Sequence, residues 1–194
     1  MVGRNFVKYL VDNNLCSTIT VADKAMPEIS WMNDFHEAAF AHASVTYIQS
    51  DLTRDAHLDK VFGTAGTPGR YDYVFNLAAE TRLGQNEQLY DERCRNLSKK
   101  CAERAKLIGV KRFVEMSTAQ VYKAQKAKAH TEDGTIAPWT TQAKAKLAAE
   151  QEVLKVTGLD VVVLRPAFIY GTGDVAGLMP RIVCAAAYKQ LKQT

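Results

Sequence analysis

Short apolar runs alternate with amphipathic stretches along this chain, and the two follow different periods. Phe6, Val7, Leu10 and Val11 fall on one side of a helix spanning residues 5–15. Residues 18–22 form a β-branched run closed by Asp23, the shape of a buried strand. Residues 26–43 are irregular, with room for one short helix. A second strand over 45–49 ends at Ser50, Asp51 and Leu52, and a helix over 55–62 leads into a turn rich in Gly and Pro over 63–69. A third strand covers 73–77, and a long helix over 86–108 stops at Gly109. The fourth strand, 112–116, runs into Ser117 and Thr118. After a polar loop to about Pro138 come a helix over 141–156, a fifth strand over 161–164 and a last helix over 176–191, with Pro180 at its start or at a kink.

Strands alternating with helices imply parallel pairing through right-handed crossovers. Nearly all-apolar strands imply a sheet covered on both faces. The expected fold class is therefore α/β, a doubly wound parallel sheet. Such sheets bind ligands at the carboxyl ends of their strands. That rule singles out Asp23, Asp51, residues 78–81, Ser117, Thr118 and the segment from Arg165 onward.

Bulk properties narrow the function classes. At 194 residues the chain is one domain by length, large enough to bury a core without staples. A net charge of +4 is small and scattered. The densest basic run, Lys123 to Lys128, reads as a solvated loop, so no nucleic-acid partner is assigned. Cys94 and Cys101 are seven apart, on one face of a helix, and read as packed thiols. Cys16 and Cys184 complete the set, and none of His36, His42, His57 or His130 has ligand spacing to them, so no metal is expected. No apolar run approaches membrane-spanning length, and the N-terminus lacks a secretory pattern; a cytoplasmic location without membrane partners is the expectation.

Five motifs then follow one another in order. Asp23 ends the first strand, where an acid accepts hydrogen bonds from an adenosine ribose and repels a 2′-phosphate; Lys24 beside it weakens that preference. Asp51-Leu52 comes after the second strand and Asn76-Leu77-Ala78-Ala79-Glu80-Thr81 ends the third. Arg95-Asn96 lies in the long helix, and Leu164-Arg165-Pro166-Ala167-Phe168-Ile169-Tyr170-Gly171 ends the fifth strand. Together they resemble the extended short-chain dehydrogenase/reductases of the NAD-dependent epimerase/dehydratase family, from Gly3 to about Pro180. The resemblance implies a Rossmann-like fold and NAD as cofactor, with NADP disfavoured. It implies that Asp51 and Leu52 bracket the adenine and that Leu77, Ala78 and Ala79 let the backbone approach the dinucleotide. It places Asn96 near the active-site strand, and Pro166 and Ile169 along the nicotinamide.

The family's first strand and Gly-x-x-Gly-x-x-Gly turn have no counterpart beyond Gly3, which matches the last glycine. In the usual order 3-2-1-4-5 that strand is central. Its absence is expected to leave two strands without a shared neighbour, and the chain marginally stable and weak in NAD binding. The family also places a substrate-binding region after the last motif. Residues 176–194 are expected to open that region and residues 1–175 to form the dinucleotide-binding domain, in a chain truncated at both ends.

Ser117-Thr118-Ala119-Gln120-Val121-Tyr122 resembles the family's segment carrying the catalytic hydroxyl, which falls on Thr118. The segment from Trp139 to Glu150 resembles its active-site helix, usually Tyr-x-x-x-Lys. Lys146 takes the lysine position, which binds the nicotinamide ribose and lowers the tyrosine pKa. Gln142 takes the tyrosine position, and a primary amide cannot carry a proton near neutral pH. Lys144 and Tyr122 are the candidate substitutes. Ala119 and Gln120 replace the Asp-Glu pair of sugar-nucleotide dehydratases, which favours an epimerase or hydroxyl dehydrogenase. The resemblance thus implies an epimerase/dehydratase-like protein for a nucleotide-sugar or related secondary alcohol, with Gln142 set against turnover. A silent dinucleotide-binding regulatory or scaffold module and a steroid-type hydroxyl dehydrogenase are the alternatives. The helices over 86–108 and 141–156 are those through which the family forms homodimers.

Overall fold

The computed structural model describes residues 1–30, 32–63, 71–124, 131–175 and 177–192. Most of the lysine run, His130 and nearly all of the 63–69 turn lie outside them. The elements in order are α1 (Val2–Asp12), β1 (Ile19–Asp23), α2 (Asp34–Phe40), β2 (Val45–Gln49), α3 (Asp55–Phe62), β3 (Tyr73–Asn76), α4 (Glu87–Tyr90), α5 (Leu97–Leu107), β4 (Arg112–Met116), α6 (Thr141–Leu154), β5 (Val161–Leu164) and α7 (Leu178–Leu191). Residues Asp91–Asn96 join α4 to α5 as a π-helical turn, and 3-10 turns cover Pro27–Ile29 and Ala119–Val121.

The strands divide into two sheets. β1 pairs with β2, with Ile19 N–H on Ser44 O at 2.7 Å and Ser50 N–H on Asp23 O at 2.8 Å. β3, β4 and β5 form a separate parallel sheet in that order, Tyr73 beside Arg112 and Phe113 beside Val161. Among the described residues β1 and β3 share no paired neighbour. β3 is consequently an edge, and the expectation of strands covered on both faces fails there: Phe75 is 43% exposed and Tyr73 56%. β4 is central, and Phe113 is fully buried.

By contacts the chain falls into two units, the first Met1–Val21, Ala25–Tyr47 and Phe168–Thr194, the second Ala22–Lys24 and Ile48–Ala167. This differs from a division at residues 175 and 176, because residues 168–175 group with α1 and α7. In the first unit α1 packs on α2. Asn5 bonds Thr172 O at 2.9 Å and His36 Nε2 at 3.2 Å. α7 begins two residues later than expected, and Pro180 sits in its first turn, where a missing N–H costs little. The second unit holds the main core. Leu58, Val61 and Phe62 of α3 meet Cys101, Ala102 and Ala105 of α5, with Phe113 and Val153 between. α5 ends at Ile108 and Gly109, whose φ of 72° suits a residue without Cβ.

Candidate functional site

Two clusters form at strand ends of the second unit. At the first, Asp23 is exposed at the end of β1 while its carbonyl takes Ser50 N–H. Asp51 accepts Thr53 Oγ1 at 2.7 Å and Thr53 N–H at 3.2 Å, and faces Lys24 Nζ at 3.2 Å. Lys24 therefore answers Asp51. Burial pushes the Asp51 carboxyl up, but Thr53 and then Lys24 outweigh it and hold the pKa at about 2. Leu52 packs against the core, as does Ala78 after β3. Ser50 Oγ is buried here with no hydrogen-bond partner among the described residues.

The second cluster surrounds the end of β4. Alternation puts Phe113, Glu115 and Ser117 on one face, under α5 and α6. Asn76 donates to Glu115 at 2.6 Å and Ser98 at 2.9 Å, all fully or nearly buried. Burial pushes the Glu115 carboxyl up. Lys146 Nζ donates to Met116 O at 2.6 Å and lies 3.8 Å from Glu115. Thr118 caps the 3-10 turn through Gln120 N–H at 3.2 Å, and Ala119 N–H binds Pro166 O at 2.8 Å, which ties β5's end to the same place. Thr140 caps α6 through Ala143 N–H at 3.0 Å and donates to Gln120 at 3.2 Å. Gln142, one turn before Lys146, gives its amide to Glu80 O at 2.9 Å.

Thr118, Gln142, Lys146 and Pro166 are thus connected around one strand end, and Asp23, Asp51 and Leu52 gather at another. Leu77 and Ala79 follow β3, partly exposed. Asn96 is exposed and donates to Asp91 at 3.0 Å. The inward positions of that helix are Tyr90, Cys94, Ser98 and Cys101, and Cys94 reaches Glu80 O at 4.0 Å. Their spacing of three and four was visible in the sequence. Gly3 lies inside the first turn of α1, and Ile169 lines a cavity of about 460 Å³ with Met1, Val2, Asn5 and Phe6, all in the first unit. Neither candidate substitute acid is available: Lys144 is exposed, and the Tyr122 hydroxyl accepts from Arg165 at 2.7 Å and donates to Glu132 O at 3.3 Å.

Sequence reading missed the buried acids. Glu80, 6% exposed, receives Arg82 and Arg93. Arg82's hydrogen bonds outweigh burial and hold the Glu80 pKa at about 2. Asp51 and Glu80 both sit below their ordinary values of 3.8 and 4.5, so their stabilisation is complete above about pH 4.5 and lost as pH falls toward 2. Circular dichroism against pH is expected to show unfolding in that window, with a shallower slope in Asp51→Asn.

An open parallel α/β sheet with small and acidic residues at its strand ends defines a dinucleotide-binding class of fold. Residues 1–194 match the NAD dependent epimerase/dehydratase family, and the chain belongs to it. It is 26% identical over 144 residues to the uncharacterized protein y4nG of Sinorhizobium fredii, covering 72% of this chain and 35% of that protein. The fold is similar to the dTDP-glucose 4,6-dehydratase DesIV of Streptomyces venezuelae, solved with NAD, at a TM-score of 0.82 and 20% identity over 97% of this chain and 59% of that one. Bordetella bronchiseptica WbmG, solved with NAD and UDP, gives 0.76 at 22% identity over 100% and 56%. The UDP-glucuronic acid 4-epimerase of Bacillus cereus, solved with NAD, gives 0.69 at 20% identity over 88% and 55%. The chain therefore spans about a third of the curated relative and little more than half of these structures. Among the described residues no helix is long and apolar enough to cross a membrane.

Proposed function

We propose that this chain is an NAD-binding, epimerase/dehydratase-like protein that recognises a nucleotide-sugar and turns it over very slowly. The observation that carries the reading is Gln142, whose amide is spent on Glu80 O at the family's proton-carrying position, one turn from Lys146. The residues fit the cofactor on their own chemistry. Ser50 Oγ is a buried polar group without a protein partner beside Asp23 and Asp51, and Ala78 and Ala79 leave the backbone after β3 uncovered by large side chains. Asp23 would accept from the ribose hydroxyls, Asp51 and Leu52 would flank the adenine, and Lys146 and Pro166 would meet the nicotinamide end. Bound NAD supplies a hydride acceptor; Thr118 would hold the substrate oxygen. A silent sensor or scaffold is the second reading, favoured by the same engaged amide. Pairing of two copies through α5 and α6 belongs to the proposal.

Of the family's glycine turn these residues match only Gly3, which lies in the first turn of α1. Calorimetry is expected to give a Kd for NAD on the order of 1 mM, and a weaker one for NADP. Asp23→Ala is expected to weaken NAD by about tenfold, the low end for a hydrogen bond to a charged group. NAD affinity unmoved by that substitution, or no binding at all, overturns the site.

A further inference from the structure

The loop after β3 carries a feature that neither the cofactor nor the proton-carrying position uses. Glu80 Oε1 accepts Arg82 Nε and Arg82 N–H, each at 3.0 Å, and Glu80 Oε2 accepts Arg82 Nη2 at 3.1 Å and Arg93 Nη1 at 2.8 Å. Two guanidiniums on one carboxylate leave one positive charge in surplus. Lys24, Lys146 and Arg165, which also lie at strand ends, face Asp51, Glu115 and Glu150 respectively. The surplus charge is also presented outward. The Arg82 side chain is 66% exposed and that of Arg93 33%, whereas Glu80 is 6% exposed. A guanidinium has five N–H donors. Glu80 engages the Nε and Nη2 donors on one edge of Arg82 and Nη1 of Arg93, so each guanidinium has donors beyond those that Glu80 takes.

The loop is fixed, which matters for binding. Tyr90 Oη donates to Arg82 O at 2.7 Å, and the carbonyl of Glu80 takes the Gln142 amide. Backbone and fork are both set before any ligand arrives, so ordering Arg82 costs little of the binding energy. The connection through Glu80 O also ties the pair to the first turn of α6, where the substrate is proposed to react.

We propose that Arg82 and Arg93 form an oxyanion subsite for the substrate's own negative charge, either a carboxylate on the sugar or a phosphate of the nucleotide. Planar forks of this kind match both groups in two-point contact. The inference rests on the nucleotide-sugar reading above and deepens it, since it selects an anionic ligand contact beside position 142.

The test is calorimetry on the NAD-loaded chain with UDP-glucuronate and UDP-glucose, which share the diphosphate and differ in the carboxylate. Arg82→Ala and Arg93→Ala are each expected to lose roughly ten- to a hundredfold in affinity, as for hydrogen bonds to a charged group. A loss confined to UDP-glucuronate assigns the carboxylate; equal losses for both assign the phosphate. Arg82→Lys, which keeps the charge but not the fork, is expected to fall between wild type and Arg82→Ala, and it serves if the alanine variant does not fold. Unchanged affinity for both ligands in the variants overturns the subsite, as does a wild type that binds neither. Intact NAD affinity alongside that result separates it from failure of the cofactor reading, which the Asp23 experiment measures independently.

Discussion

Gln142→Tyr is expected to raise turnover on a nucleotide-sugar by about 10²–10⁴, the usual contribution of a positioned general acid or base. Position 142 lies in the first turn of α6, held by the Thr140 cap, and position 146 is one turn on along the same face. Lys146 is pinned between Met116 O and Glu115, so a phenol at 142 would ionise beside an anchored ammonium, which favours the phenolate. The glutamine offers only an amide, and that amide is committed to Glu80 O. Among the described residues no neighbour takes over this role. Tyr122 is tied to Arg165, Lys144 faces outward, and Glu115 is fully buried under Asn76 and Ser98. Product formation from a panel of nucleotide-sugars, followed by NMR with NAD present, is the measurement, and Gln142→Phe is the control expected to gain nothing. A tyrosine variant that binds NAD as wild type does and shows no gain on any substrate would remove Gln142 as the limiting residue.

The sequence carried most elements because their patterns are local. β2, α3, β4 and β5 have the boundaries their sequence patterns suggest: short apolar or β-branched segments for the strands, and the 55–62 amphipathic stretch for α3. The π-helical turn at Asp91–Asn96 was not legible: it lies within a helix of the expected extent, and no side-chain pattern marks its wider turns. Legibility fell further wherever a residue's partner is distant in the chain. Glu115 stands out as a charge inside a buried strand, yet its partners Asn76 and Ser98 lie on two other elements. Glu80 read as the tail of a cofactor motif, whereas its carboxylate organises two arginines and its carbonyl engages Gln142.

Arg165→Leu is expected to destabilise the chain by about 3–5 kcal/mol, the cost of leaving a buried charge without its partner. Arg165 follows β5 and clasps both oxygens of Glu150 on α6, Nε at 3.1 Å to each and Nη2 at 2.6 Å to Oε2. Its remaining nitrogen donates to the Tyr122 hydroxyl at 2.7 Å, and the guanidinium lies over that ring at 5.1 Å. Ser117 at the end of β4 donates to Glu150 Oε1, one of the two oxygens Nε reaches. One guanidinium therefore joins β4, β5, α6 and the 3-10 turn, around a carboxylate only 2% exposed. Glu150 pushes the arginine's pKa further up, so its charge persists at any pH where the chain folds. Without it Glu150 keeps a single hydroxyl partner in a buried site. Total stabilities of domains are about 5–15 kcal/mol, so the variant should approach unfolding at ambient temperature. Urea titration gives the value. The double variant Arg165→Leu with Glu150→Leu should recover most of the loss, because removing both charges removes the desolvation cost together with the attraction. Arg165→Lys should recover less than half, since an ammonium cannot reach both oxygens and the tyrosine at once. Loss below about 1 kcal/mol, the range of exposed pairs, would show that the clasp is solvated and that packing alone fixes β4's end and Thr118 beside it.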